Sequence, residues 1–237
     1  MAASKKSLAE EVAEICDLDV PLRRRLELFA QKRRAEGSPF ADASDRLVAR
    51  LNAGGIPERA PRVGETMPGF LLPDQRGRLV SLDDLVAEGP VILSFNRGHW
   101  CPFCQIELTS LARAHAELAG LGGQVISLMP DRQAFVARLP PAVLDRLVVL
   151  SDLDNAYALS LGLVMWLGDE LQALMRGGGL SLEEVHGNAG WLVPMPATFV
   201  LDHAARVVAR CVESDFRTRL DIADIRRALT SVAARTG

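Results

Sequence analysis

The chain has 237 residues, of which 49% are apolar and 24% charged, and its formal net charge is −3. That length suits one domain, or one domain with an extension, and a core large enough to need no disulfide framework. The slight acidity argues against electrostatic attraction to nucleic acid or an anionic membrane, and no stretch approaches the ~18 uncharged apolar residues of a spanning helix.

Met1 to Leu18 is helix-like and charged (Lys5, Lys6, Glu10, Glu11, Glu14) and lacks the unbroken apolar centre of a signal peptide. A cytoplasmic, reducing location is therefore expected. There, a close cysteine pair points to catalysis or metal binding rather than to a structural disulfide.

Residues 4–53 read as helices. Leu8, Val12 and Ile15, then Leu22, Leu26 and Phe29, recur at spacings of three and four. Pro21 marks the start of a second helix, and Gly37-Ser38-Pro39 separates it from a third with Leu47, Val48 and Leu51 inward. The basic runs Arg23-Arg24-Arg25 and Lys32-Arg33-Arg34 are opposed by Glu27 and Glu36, as on a solvated helix face. The Gly- and Pro-rich stretch 53–69 marks a boundary, dividing an N-terminal helical extension, 1–62, from a second unit, 63–237.

In that unit Phe70 to Leu72 and Leu79-Val80 read as short strands around the turn Asp74 to Gly77. Val91–Phe95 reads as a buried strand, Cys101–Leu121 as a long helix, and Gln124–Met129 as another buried strand. A helix over Asp131–Leu139, a strand over Leu147–Leu150 and a helix over Asp152–Leu161 follow. Leu163–Gly190, with Gly177-Gly178-Gly179, suggests a flexible loop with a short helix. Ala197–Leu201 and Val207–Cys211 form a hairpin, and Asp221–Ala234 an amphipathic helix. Alternating strands and helices of this kind predict an α/β fold with a central sheet covered on both faces.

The sharpest feature is Phe95-Asn96-Arg97-Gly98-His99-Trp100-Cys101-Pro102-Phe103-Cys104, where a buried strand hands over to a helix. Cys101 falls at the helix start, where unpaired N–H groups and the macrodipole favour an anion. Its thiol is expected in the ~3.5–7.5 pKa range of such sites. Cys104 lies on the same helix face one turn on, and Pro102 suits the first turn. One CxxC supplies only half of a zinc site, and Cys16, Cys211 and the four histidines offer no second half; no metal and no cofactor is expected. Downstream, Val193 to Asp202 holds Met195-Pro196-Ala197-Thr198, a proline directly before a buried strand and hence a candidate for a cis bond. Trp100 reads as a lid beside the sulfurs. Core burial is the more common role for Trp166 and Trp191, with an apolar wall facing the site as the alternative, and Cys16 and Cys211 read as inert buried thiols.

Together these residues resemble the thioredoxin superfamily. Trp100-Cys101-x-x-Cys104 is similar to the thioredoxin site, Pro102-Phe103 to its glutaredoxin variant, and Met195-Pro196 to the superfamily's cis-proline. The wider frame resembles the peroxiredoxins, the alkyl hydroperoxide reductase/thiol-specific antioxidant family. Its carriers are Val63 to Phe70, Asp74 to Leu85 with Gly77 and Ser81-Leu82, and Ser151-Asp152 through Leu161-Gly162. The resemblance covers most of 63–237, with a CxxC-bearing subgroup as the nearest pattern, and implies a thioredoxin-like, peroxiredoxin-type sheet.

Register on Glu107 puts Cys104 at the peroxidatic position, with Cys101 where the family has threonine, Arg97 where it has proline and Pro196 where it has its late arginine. Two mechanisms follow from the resemblance. Either Cys104 attacks a hydroperoxide and Cys101 closes the disulfide, with Arg97 or His99 polarising the peroxide, or Cys101 attacks a partner's disulfide and Cys104 resolves it. A redox-switched binding module carried by the N-terminal helices is a third reading. The implied partners are a hydroperoxide or disulfide substrate, a thioredoxin-like or glutathione reductant, and a second copy of the chain in a homodimer.

Overall fold

The computed structural model describes residues 6–236; residues 1–5 and 237, including the first residues of the predicted N-terminal helix, lie outside it. The chain begins with three helices, α1 (Leu8–Asp17), α2 (Leu22–Ala35) and α3 (Pro39–Gly54). Ser7 and Glu10 form a reciprocal capping box at the start of α1, satisfying two of the N–H groups a helix start leaves open. Pro39 occupies the first turn of α3, and Gly55, left-handed at φ 59°, ends it.

Next come β1 (Leu71–Pro73), β2 (Leu79–Ser81), α4 (Leu82–Glu88), β3 (Val91–Phe95), α5 (Pro102–Gly120) and β4 (Gln124–Met129). They are followed by α6 (Gln133–Val136), α7 (Pro141–Leu144), β5 (Val148–Ser151), α8 (Ala156–Ser160), β6 (Val164–Trp166), α9 (Asp169–Gly177) and α10 (Leu182–His186). The chain closes with β7 (Leu192–Pro194), β8 (Ala197–Leu201), β9 (Val207–Val212) and α11 (Ile222–Thr236).

Five strands form the central sheet in the order β5-β4-β3-β8-β9. β3, at its centre, runs parallel to β4 and antiparallel to β8, and all five of its residues are buried. The pleat sends successive side chains to opposite faces. Leu93 and Phe95 join an apolar cluster with Ile126, Leu128 and Phe199, while Ile92 meets Val125, Val149 and Val200 in a second cluster. That second cluster is covered by Leu108 and Leu111 of α5 and Ile225 and Leu229 of α11.

The N-terminal helices bury their apolar stripes against this body. Leu22, Leu26, Phe29, Leu47 and Leu51 belong to the first cluster. Phe29 meets Phe103 of α5 edge-to-face at 5.1 Å. Polar ties reinforce the seat: Arg25 donates to Ser110 at 2.9 Å, and Arg46 to Glu170 on α9 at 2.9 Å.

Four expectations need correction. The helix predicted over Asp131–Leu139 is only Gln133–Val136, and Pro140-Pro141 starts a separate short helix, because a residue before proline is pushed out of helical geometry. Asp152–Leu161 is not one helix. Asp154 (φ 58°) and Asn155 (φ 56°) are left-handed, a conformation these two residue types tolerate, so α8 begins at Ala156. The Leu163–Gly190 segment is ordered rather than a flexible loop. It supplies β6, which pairs antiparallel with β7, and the glycine triplet terminates α9 with Gly179 at φ 81°.

Finally, no cis peptide occurs among the described residues, so the Met195-Pro196 bond is trans. β7 and β8 flank this dipeptide, and the Met195 amide donates to the Leu163 carbonyl at 2.6 Å. A trans bond is the ordinary preference before proline, by ~0.5–1 kcal/mol.

Candidate active site

β3 ends at Phe95, and the chain turns through Gly98 into α5. Gly98 sits at φ +139°, and a Cβ there would lie 2.5 Å from both Asp131 Oδ1 and Trp100 Nε1. Only glycine lets the turn pass this closely. Cys101 is then the N-cap of α5 and Cys104 its third helical residue, with Pro102 at the first. Both thiols are fully buried and unbridged.

The Cys101 sulfur occupies the acceptor position that a serine or aspartate cap would normally fill. It accepts from the Cys104 amide at 3.3 Å and from Arg97 Nη2 at 3.1 Å. Burial works against its ionisation. The hydrogen bond from the Cys104 thiol, the charges of Arg97 and Arg219 and the Cys104 amide outweigh that and bring its pKa down to about 5. Cys104 moves the other way: burial and the neighbouring Cys101 sulfur, which its proton serves, hold it well above the ordinary thiol range. At neutral pH the pair is one thiolate and one thiol.

Beneath Cys104 lies a polar network. Ser94 and Thr198 face each other across β3 and β8, and their hydroxyls donate to Glu107 Oε1 at 3.0 and 3.1 Å. Glu107 Oε2 accepts from Arg219 Nε at 2.5 Å in an ion pair with both partners buried. Arg219 also donates to the carbonyls of Phe216 and Thr218, and its Nη2 stands 3.9 Å from Cys104 Sγ. Its charge is thereby fixed beside the sulfurs.

Arg97 is held differently. Its guanidinium lies over the Phe216 ring at 4.0 Å and over Trp100 at 5.5 Å, and its Nε has no hydrogen-bond partner among the described residues. Of the other residues singled out from sequence, His99 pairs with Asp131. Its backbone N–H and Nδ1 both meet Asp131 Oδ2, at 2.8 and 2.7 Å, so it braces the turn. Met195 and Pro196 are buried, Met195 in the same apolar cluster as both cysteines.

Trp166 is exposed, and Trp191 is buried with its Nε1 on Glu183. Cys16 is a buried thiol whose pKa burial raises, and Cys211 is half-buried with its pKa pushed up by burial to about 11. Among the described residues, no three His, Cys, Asp or Glu side chains converge as metal ligands would, nor is any helix long and apolar enough to cross a membrane.

Two features escaped the sequence. Arg219 comes from a loop more than a hundred residues downstream, and no local pattern distinguishes it from its neighbour Arg217. The second is a cavity of about 340 Å³ beside Arg97, Trp100, Pro102 and Phe103. Its far wall is made by the N-terminal helices and α9.

Several solved structures share this fold. A peroxidoxin, BcpB, from Mycobacterium tuberculosis is 23% identical with a TM-score of 0.54, over 73% of this chain and 97% of its own. A cysteine-to-serine mutant of the peroxiredoxin 6 of Arenicola marina is 16% identical with a TM-score of 0.58, over 74% of each chain. The reduced 2-Cys peroxiredoxin of Plasmodium vivax is 15% identical with a TM-score of 0.54, over 73% of this chain and 83% of its own. At such identities the likeness speaks for the fold. No curated protein matches the sequence. The model of the AhpC/TSA family matches residues 63–210, which span the β3–α5 cysteine turn, Glu107 and the strand carrying Thr198, and the chain belongs to that family.

Proposed function

We propose that the chain is a thiol-dependent peroxidase in which Cys101 attacks and Cys104 resolves. The observation that carries this assignment is the pair of donors on Cys101 Sγ, Arg97 Nη2 at 3.1 Å and the Cys104 amide at 3.3 Å. They stabilise an anion, and the thiolate is the nucleophilic form.

The Cys101 thiolate displaces the O–O bond of a hydroperoxide. Its sulfur keeps the terminal OH as a sulfenic acid, and the departing alkoxide or hydroxide takes up a proton to leave as alcohol or water. The Cys104 thiol then condenses with the sulfenic acid, losing water and forming the Cys101–Cys104 disulfide. An external dithiol, thioredoxin-like, or two glutathione molecules return both sulfurs to thiols. This assignment reverses the register on Glu107, which would make Cys104 the attacking residue. The 3.9 Å approach of Arg219 to Cys104 is the one contact that favours that second reading.

Trp100 and Arg97 border the reacting sulfur, while His99, Glu107 and Thr198 hold the turn and the helix in place. Met195 and Pro196 lie buried just before β8, Met195 in the apolar cluster that holds both cysteines. The reaction is placed in the cytoplasm, the homodimer belongs to the same proposal, and residues 1–62 act as an extension seated on the 63–237 unit.

Stopped-flow Trp fluorescence of the reduced protein mixed with hydrogen peroxide tests the assignment, run on wild type, Cys101→Ser and Cys104→Ser. Fast oxidation surviving in Cys104→Ser and lost in Cys101→Ser is the expected result. The opposite pattern makes Cys104 peroxidatic. Oxidation no faster than a free thiol's in every protein refutes the peroxidase and leaves a disulfide exchanger led by Cys101.

A further inference from the structure

β3 and β4 run parallel, with Phe95 opposite Leu128, so the residues that follow the two strands emerge together at one end of the sheet. After β3 comes the cysteine turn, and after β4 comes Asp131, a fully buried carboxylate. The turn is pinned on both sides of His99. The His99 amide donates to Asp131 Oδ2 at 2.8 Å, its ring meets the same oxygen at 2.7 Å, and its carbonyl accepts from Gln105 of α5. Within the turn the Cys101 amide donates to the Gly98 carbonyl at 3.2 Å. The contact that this turn sets is the one between its two ends, Arg97 Nη2 and Cys101 Sγ.

The other carboxylate oxygen faces a different part of the chain. Asp131 Oδ1 stands 3.4 Å from His186 Nε2, and the His186 ring is buried. His186 ends α10, which is fastened here by the Arg132 amide, donating to the Val185 carbonyl at 3.0 Å, and by the Arg132 guanidinium on the Glu184 carbonyl. The titratable groups that face Asp131 are thus His99, on the turn, and His186, on α10. Burial works against the Asp131 charge, yet the contacts with His186 and His99 outweigh it and hold the carboxyl below its ordinary range. Gly98 leaves the carboxylate no slack, since a Cβ there would lie 2.5 Å from Oδ1.

We propose that Asp131 and His186 are positioning residues for the Cys101 thiolate: His186 orients the carboxylate, and the carboxylate holds the turn so that Arg97 reaches Cys101 Sγ. The proposal rests on the peroxidase reading for its chemistry, but the thiolate can be read without peroxide. The charged groups that face Cys101 are Arg97 from the turn and Arg219 from the loop before α11, with the Cys104 thiol beside them. Loosening the turn withdraws Arg97. An opposite charge at contact range shifts a pKa by about 1–3, so the Cys101 midpoint rises when Arg97 leaves, whereas loss of a nearby negative charge by itself lowers it. Positioning and plain charge therefore predict opposite signs.

Asp131→Ala and His186→Leu remove the two contacts, while Asp131→Asn and His186→Gln restore an acceptor for the His99 amide and a donor for Asp131. Two readouts are taken: the pH midpoint of Cys101 alkylation by iodoacetamide, localised by mass spectrometry, and the rate of oxidation by hydrogen peroxide at acid pH. The midpoint, about 5 in the wild type, is expected to rise by about one to two pH units in Asp131→Ala and in the same direction in His186→Leu. Oxidation slows about 2- to 10-fold with the smaller thiolate share, and both readouts return to near wild type in the Asn and Gln variants. Midpoints unmoved in Asp131→Ala and His186→Leu overturn the proposal, as does a midpoint that falls in Asp131→Ala and Asp131→Asn alike. Urea unfolding shows which variants are folded, and where Asp131→Ala is not, the two His186 variants decide. Wild-type oxidation no faster than a free thiol's, with the midpoints moving as expected, refutes the peroxidase reading and keeps the positioning.

Discussion

Replacing Arg97 with methionine removes the cation from Cys101 while keeping a long apolar side chain beneath Phe216. The guanidinium stands 3.1 Å from the sulfur, and both groups are buried. An opposite charge at such range shifts a pKa by about 1–3 units. Starting from about 5, a shift of ~2 units places the Cys101 midpoint near 7, at ~1.4 kcal/mol per unit. At pH 6 the thiolate share then falls from roughly nine-tenths to roughly one-tenth, and the peroxide rate falls about tenfold with it.

The assay is the pH profile of Cys101 alkylation by iodoacetamide, localised by mass spectrometry, alongside the far-ultraviolet absorbance of the thiolate. A midpoint that stays near 5 in the variant would refute the claim that Arg97 holds the anion. Stability offers an independent check. The folded thiol titrates below the ordinary value of 9.0, so the unfolded chain carries the extra proton between about 5 and 9. This part of the stability is fully present above the unfolded value and is lost as pH falls through the folded one. In the variant the loss begins at higher pH, so the wild-type advantage in urea is larger at pH 9 than at pH 5.

Two further outcomes follow from the packing. Glu107→Leu strands the Arg219 charge in the core, and removing one partner of a buried pair costs about 3–5 kcal/mol; urea unfolding of the reduced protein measures it, and a loss under ~1 kcal/mol would mean that Arg219 finds water. Phe29→Ala removes the ring that seats α2 on Phe103, at about 3–5 kcal/mol for a buried phenylalanine. Its unfolding should remain one transition, and an early separate melting of the N-terminal helices would contradict a shared core.

Much of this architecture is legible in sequence because its signals are local. The apolar runs at Val91–Phe95 and Gln124–Met129, and the cysteine pair just after a strand, each carry their meaning within ten residues. Where tertiary geometry decides, the pattern is silent. Leu163–Gly190 reads as a flexible loop with a short helix because β6 is three residues long and finds its partner, β7, only after two intervening helices. Pro196 resembles a cis-proline by its neighbours, yet its peptide bond is trans, an isomer that the neighbouring residue types do not decide. Arg219 and Asp131 reach the cysteine turn through the fold alone. The N-terminal helices read as the carriers of a possible binding module, but most of their apolar residues are spent on this chain's own core and on the cavity wall.

The two cysteines cannot share one fate. The helix start offers its amide to the residue at the cap, and Cys101 holds that place; Cys104, three residues into the helix, supplies both that amide and a thiol proton to it. The arginines repeat the asymmetry. Arg219 has Glu107 as its partner, whereas among the described residues the only hydrogen-bond acceptor met by Arg97 is the Cys101 sulfur. Forming the disulfide removes the negative charge and leaves Arg97 buried without its counter-ion, a cost that the reduced form does not carry. Everything that lowers the Cys101 pKa therefore also favours the dithiol over the disulfide. A site built this way is reduced readily after each oxidation, as a catalyst that must return to its thiolate requires and a structural crosslink does not.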